Sequence, residues 1–131
     1  MALNVLGRSK GLISGAVAVA PVTDWRFYDS AYTERYMLQP QDNPQGYESS
    51  SALHLEYPSN KLLLIHGTGD DNVHFQNSAE LVRVLVRQQI GFQTMYYPNQ
   101  DHHMSTDGSL LHLYTLVEAF FNQKLNGILV Q

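Results

Sequence analysis

Residues 61–65 read Lys-Leu-Leu-Leu-Ile, an apolar run of strand length with no alternating polar face. A strand of that kind is buried on both sides, the condition met in a parallel sheet whose faces are covered by helices. The stretches that follow extend the pattern. Residues 76–89 place Ala79, Val82, Leu85 and Val86 at helical spacing and stop at Gly91, and residues 92–97 predict the next strand. Residues 109–125 predict a closing helix with Leu113, Leu116, Val117, Phe120 and Phe121 turned inward. Upstream, residues 15–20 (GAVAVA) form a small apolar strand that ends at Pro21. Alternating strands and helices with short connections predict an α/β fold with a parallel sheet. In such a sheet the C-terminal loops of all strands share one edge, where ligands bind. Residues 21–32, 67–75 and 98–107 are therefore expected around one cleft.

Between the first two strands the signals are weaker. Residues 25–37 are dense in aromatics and include a short helix, residues 38–46 form a loop marked by Pro40, Asn43, Pro44 and Gly46, and residues 49–55 form a helical turn or two. The 131 residues suffice for one domain with a core, and nothing in the chain marks an internal repeat or a linker. A formal charge of −4 provides no basic footprint and argues against nucleic acid as a partner. With no cysteine, disulfides, thiolate catalysis and cysteine-based zinc sites are ruled out. The most apolar stretch, residues 12–22, is too short to span a bilayer, and residues 1–6 lack the regions of a signal peptide.

The residues with chemistry lie on the expected edge. His66-Gly67-Thr68-Gly69-Asp70-Asp71-Asn72-Val73-His74 follows one strand, and Asp101-His102-His103 follows the next. An acid and then a histidine, each on the loop after its own strand, is the tail of the order Ser…Asp…His found in α/β-hydrolases. Spacing does not separate Asp70 from Asp71 as the acid. Gly7-Arg8-Ser9-Lys10-Gly11 matches the nucleophile pattern Gly-x-Ser-x-Gly in letters. The serine of that pattern must sit on a sharp strand-to-helix turn, and a strand follows Ser9 too soon for a helix to fit between. Ser9 reads as a surface loop residue. His66, Asp70, His74 and His102 have donor types that suit zinc, but no helical His-x-x-x-His supports a metal site, and the hydrolase pattern accounts for the same residues.

Longer blocks carry a resemblance. Ala18-Val19-Ala20-Pro21-Val22, then Trp25, then Tyr28-Asp29-Ser30-Ala31-Tyr32-Thr33-Glu34-Arg35-Tyr36-Met37, then the His66 block continued through Phe75-Gln76, then Asp101-His102, occur in this order. The chain resembles the dipeptidyl peptidase IV branch of the prolyl oligopeptidase family over most of its length. The resemblance implies the C-terminal part of an α/β-hydrolase catalytic domain across residues 1–131, with Asp70 the triad acid and His102 the general base. It maps a proline-accepting S1 pocket onto Val22, Trp25, Tyr28, Tyr32 and Val73, where aromatic faces suit a flat pyrrolidine ring. Asn72 corresponds to a side-chain amide that holds a substrate carbonyl, and Arg35 to a residue bordering the same cleft. His103 stands where the family has glycine, which crowds His102. No cofactor is implied.

The same resemblance puts the nucleophile, in Gly-Trp-Ser-Tyr-Gly-Gly, upstream of Met1, together with the oxyanion donors and a β-propeller that anchors the substrate amine. The expected activity is release of N-terminal Xaa-Pro or Xaa-Ala dipeptides from a peptide substrate by a protein that forms a homodimer through its final helix; this chain alone is expected to be inactive. The alternative is a non-enzymatic relative that partners a membrane channel. Such relatives lose triad residues, whereas Asp70 and His102 are both present. Relatives occur as membrane-anchored ectodomains, secreted enzymes and cytosolic enzymes, so no compartment follows.

Overall fold

The computed structural model describes residues 1–126. In chain order the elements are α1 (Ala2–Arg8), β1 (Ala16–Val19), a 3₁₀ turn (Trp25–Phe27), α2 (Ser30–Met37), α3 (Pro44–Ser50), a second 3₁₀ turn (Ala52–His54), β2 (Leu62–Gly67), α4 (Gln76–Arg87), β3 (Gln93–Tyr97) and α5 (Ser109–Asn126). The three strands form one sheet in the order β1-β2-β3, and both pairings are parallel. The fold class read from the sequence, a parallel sheet flanked by helices, is the one observed.

The central strand explains the layers. Every residue of β2 is buried, and successive side chains of a strand point to opposite faces. Leu62 and Leu64 join Leu3, Leu6, Leu81 and Leu85 in a core under α1 and α4, whereas Leu63 and Ile65 join Tyr97, Met104, Leu113 and Phe120 under α5. A run without polar alternation is thus explained by two cores, one per face. Each fully buried leucine contributes on the order of 2 kcal/mol relative to exposure.

Four local expectations are corrected. The buried stripe of α4 is Asn77, Ser78, Leu81 and Leu85, while Ala79 is exposed and Val86 is 60% exposed. The helix is rotated so that two polar side chains point inward, where they find partners described below. Residues 38–46 are not all loop, because Pro44 opens α3 at its first turn and Asn43 Oδ1 accepts from Gly46 N at 3.1 Å. Proline suits that position, having no N–H to leave unpaired. The first strand is shorter than residues 15–20: Ala20 turns to φ 43° and still donates its N–H to the Ile65 carbonyl at 2.8 Å. Phe121 of α5 faces outward and is 38% exposed.

Among the described residues β1 pairs on one side only. Its outer edge carries Val19, 42% exposed.

Candidate active site

The loops after β2 and β3 are drawn together by backbone contacts. Thr68 N donates to the Tyr97 carbonyl at 2.9 Å and Gly69 N to the Gln100 carbonyl at 3.0 Å, and Asn99 N donates to Thr68 Oγ1 at 2.9 Å. Gly67 permits this approach, since a Cβ there would lie 2.3 Å from the Gln100 carbonyl oxygen. The consequence is a contact between residues 32 apart in sequence: His102 Nδ1 donates to Asp70 Oδ2 at 2.8 Å.

The Asp70 side chain is fully buried, and both oxygens are occupied. Oδ1 accepts from the backbone N–H of Asn72 at 3.0 Å and of Val73 at 2.9 Å. Oδ2 accepts from His102 and, at 3.2 Å, from His66 Nε2. Burial by itself would raise the carboxyl pKa, but the bonds from His102, Asn72 and Val73 outweigh it and hold Asp70 below the ordinary range. Because Nδ1 of His102 donates, the neutral ring has its lone pair on Nε2, and the side chain is 32% exposed. A carboxylate–imidazole pair of this kind can take up a proton at Nε2 and stabilise the imidazolium that results. Asp71, the neighbouring carboxylate, is exposed.

His102 belongs to a tightly tied loop. Asp101 Oδ1 accepts from His103 N at 2.9 Å and Met104 N at 3.1 Å, and Gln100 Oε1 accepts from Thr106 Oγ1 at 2.8 Å. The His103 ring stands exposed, edge-on to His102 with centroids 6.0 Å apart; the crowding expected from this residue leaves the His102–Asp70 bond intact. His102 lines a groove of about 650 Å³ with Val17 and Val19 of β1 and with Leu113, Val117 and Phe121 of α5.

The loop after β1 supplies aromatic rings. Trp25 lies 6.1 Å from Tyr32 in a stacked arrangement, and Tyr28 packs edge-on against both, at 6.0 and 5.6 Å. Tyr28 Oη donates to Asn72 Oδ1 at 2.9 Å, joining this cluster to the Asp70 loop. Deeper, Thr23 N donates to Asn77 Oδ1 at 2.9 Å and Thr23 Oγ1 to the Asn77 carbonyl at 2.8 Å. Asp24 caps the 3₁₀ turn and is bound by Arg26 at 2.8 Å; burial opposes ionisation there, and Arg26 overcomes it.

Three comparisons with known proteins give the family. The sequence profile of the Prolyl oligopeptidase family matches residues 1–127. The chain belongs to the prolyl oligopeptidase family. It is 44% identical to porcine (Sus scrofa) dipeptidyl peptidase 4 over 123 residues, covering 91% of this chain and 16% of the relative. It is 47% identical to human prolyl endopeptidase FAP over 122 residues, covering 90% and 16%. Among solved structures, Porphyromonas gingivalis dipeptidyl peptidase 4 superimposes with a TM-score of 0.84 at 41% identity, covering 92% of this chain and 17% of that one. The chain thus spans about one sixth of the length of these relatives. Within the prolyl oligopeptidase family it is similar to serine peptidases whose fold is an α/β-hydrolase, and its sheet corresponds to part of that fold.

Against this family frame the sequence-predicted residues fall into three groups. Asp70 and His102 are in contact, and Asn72 and the buried Val73 sit on the same loop as Asp70. Trp25, Tyr28 and Tyr32 form one cluster, and among the described residues the predicted pocket is divided between grooves. Val22 and Trp25 line a groove of about 330 Å³ against β1 and the start of α1, while Trp25 and Tyr32 line a separate one of about 170 Å³ with Tyr36 and Met37. Arg35 is exposed on α2 and lines neither. Ser9 is the C-cap of α1, its hydroxyl donating to the Leu6 carbonyl at 2.7 Å. It precedes β1, at the sheet end opposite the His102 loop. Sequence reasoning missed Asn77 and Ser78, whose polar side chains on an apolar helix stripe were the available signal.

Proposed function

We propose that this chain supplies the acid, the base and part of the substrate pocket of a serine dipeptidyl peptidase that releases Xaa-Pro or Xaa-Ala dipeptides, and that the attacking serine comes from residues outside it. The observation that carries this reading is the buried Asp70 carboxylate bonded to the half-exposed His102, with Nε2 left as the acceptor. In the reaction His102 takes the serine proton as the serine attacks the substrate carbonyl, Asp70 stabilises the imidazolium, and His102 returns the proton to the leaving amine. The bond from Tyr28 occupies Asn72 Oδ1, so the amide N–H₂ is the donor offered to the carbonyl of the residue before proline. Trp25, Tyr28 and Tyr32, with Val22 and Val73, offer apolar faces to the proline ring, and Arg35 borders the cleft. Family membership, 40–44% identity to proteins named dipeptidyl peptidase 4 and dipeptidyl-aminopeptidase B, and 47% identity to a prolyl endopeptidase support the peptidase reading.

The test is a chimera in which this chain replaces the matching 123-residue stretch of the porcine relative. The chimera is expected to cleave an Xaa-Pro reporter and to lose turnover with His102→Ala but not with Asp71→Asn. The 131-residue chain alone is expected to leave the reporter intact, with or without Ser9→Ala. A chimera that folds, binds the substrate and does not cleave it would overturn the enzymatic reading in favour of a non-catalytic binding protein.

A further inference from the structure

His66 is absent from the chemistry above, yet it is completely buried at the end of β2 and makes three polar contacts. Nδ1 lies 2.7 Å from Ser78 Oγ on α4, and Nε2 lies 2.8 Å from the Val73 carbonyl and 3.2 Å from Asp70 Oδ2. A carbonyl oxygen and a carboxylate oxygen can only accept, so Nε2 must hold its proton whatever the charge of the ring. That single N–H is shared between the two ends of the Asp70–Val73 turn. The turn is closed from inside by the Asn72 and Val73 amides bonding Asp70 Oδ1, and from outside by His66. Ser78 fixes the ring plane and ties the arrangement to the buried face of α4.

We propose that His66, held by Ser78, is a positioning residue for Asp70: its Nε2–H sets the carboxylate rotamer in which Oδ2 faces His102 Nδ1. Without it, Oδ2 has one donor fewer and the Val73 carbonyl is unpaired in a buried site, which frees the turn to rotate the carboxylate away. The inference rests on the reading of Asp70 and His102 as acid and base, and the test separates the two.

Asparagine and glutamine place an amide N–H₂ near Nδ1 and Nε2 of histidine respectively. His66→Asn therefore keeps a partner for Ser78 and loses the contact to Asp70 and Val73, whereas His66→Gln keeps the latter. In the chimera, His66→Asn is expected to lower kcat about ten- to a hundredfold with KM little changed, the effect of one lost buried charge-assisted bond, and His66→Gln to restore most of it. Ser78→Ala, which disturbs packing least, is expected to shift kcat in the same direction by a smaller factor. In the 131-residue chain, the low-field proton resonance of His102 Nδ1–H is expected in the wild type and in His66→Gln and to be lost to solvent exchange in His66→Asn. A purely structural role would lower the unfolding temperature of both variants alike and leave kcat per active site unmoved; that result overturns the proposal. Should His66→Asn not fold, an unchanged kcat in Ser78→Ala overturns it equally. If the wild-type chimera cleaves nothing, the enzymatic reading falls, and the proton resonance still decides whether His66 positions Asp70.

Discussion

At Asp70 the whole carboxylate is committed: two backbone amides on one oxygen and two imidazoles on the other. Asp70→Asn keeps the shape but replaces an acceptor with a donor facing His102, which reverses the favoured tautomer. We expect kcat of the chimera to fall by about four orders of magnitude, the effect of the same change in other triads. The pH dependence of stability has a definite sign. A carboxyl whose folded pKa lies below its ordinary value of 3.8 stabilises the fold above that value and loses the contribution as the pH falls through the lowered one. Asp70→Asn should therefore cost roughly 2 kcal/mol near neutral pH, and the gap to wild type should close in strong acid; thermal unfolding across that range measures it. A gap independent of pH would contradict the assignment. Asp70 and Asp71 were indistinguishable in sequence because their difference is one of direction, set by His66 and His102 reaching in from β2 and from a loop 32 residues away.

At the scale of elements, the loop after β2 and the loop after β3 behave as one unit because Gly67 lets their backbones touch. Gly67→Ala forces a Cβ against the Gln100 carbonyl, from a rigid strand into a tied loop, so neither side yields cheaply. The expected cost is about 1–3 kcal/mol of stability, with a larger loss of turnover than of substrate affinity, because the displaced part carries His102. Unfolding temperature and steady-state kinetics of the chimera test this, and wild-type values for both would refute it. The strands and long helices were legible because residues 61–65, 92–97 and 109–125 have strong apolar patterns. The face of α4 was misjudged because Asn77 and Ser78 are buried for their hydrogen bonds, to Thr23 and to His66, and apolar periodicity is blind to such partners. Helix α3 escaped notice because Pro44 and Asn43, read as loop residues, serve as its first turn and its cap.

For the molecule as a whole, the parallel architecture was readable from the alternation of elements, whereas the division of the aromatic residues between two grooves was not, since it depends on how α2 leans on the loop after β1. Among the described residues one side of β1 is open. An unpaired apolar edge beside an apolar groove invites association, so the isolated chain is expected to sediment as a mixture of species, and Val19→Lys to raise its monomer fraction. A sharp, cooperative unfolding transition of a wild-type monomer would remove the basis for that expectation. The order of the strands along the chain has a consequence in time. Asp70 is synthesised with β2, but His102 arrives only after α4 and β3, and the bond between them needs β3 already seated beside β2. On a ribosome, where folding proceeds from the N-terminus, the Asp70 carboxylate waits for its imidazole partner. The carboxylate–imidazole pair can therefore close only when β3 is seated beside β2, so its formation marks completion of the sheet among the described residues.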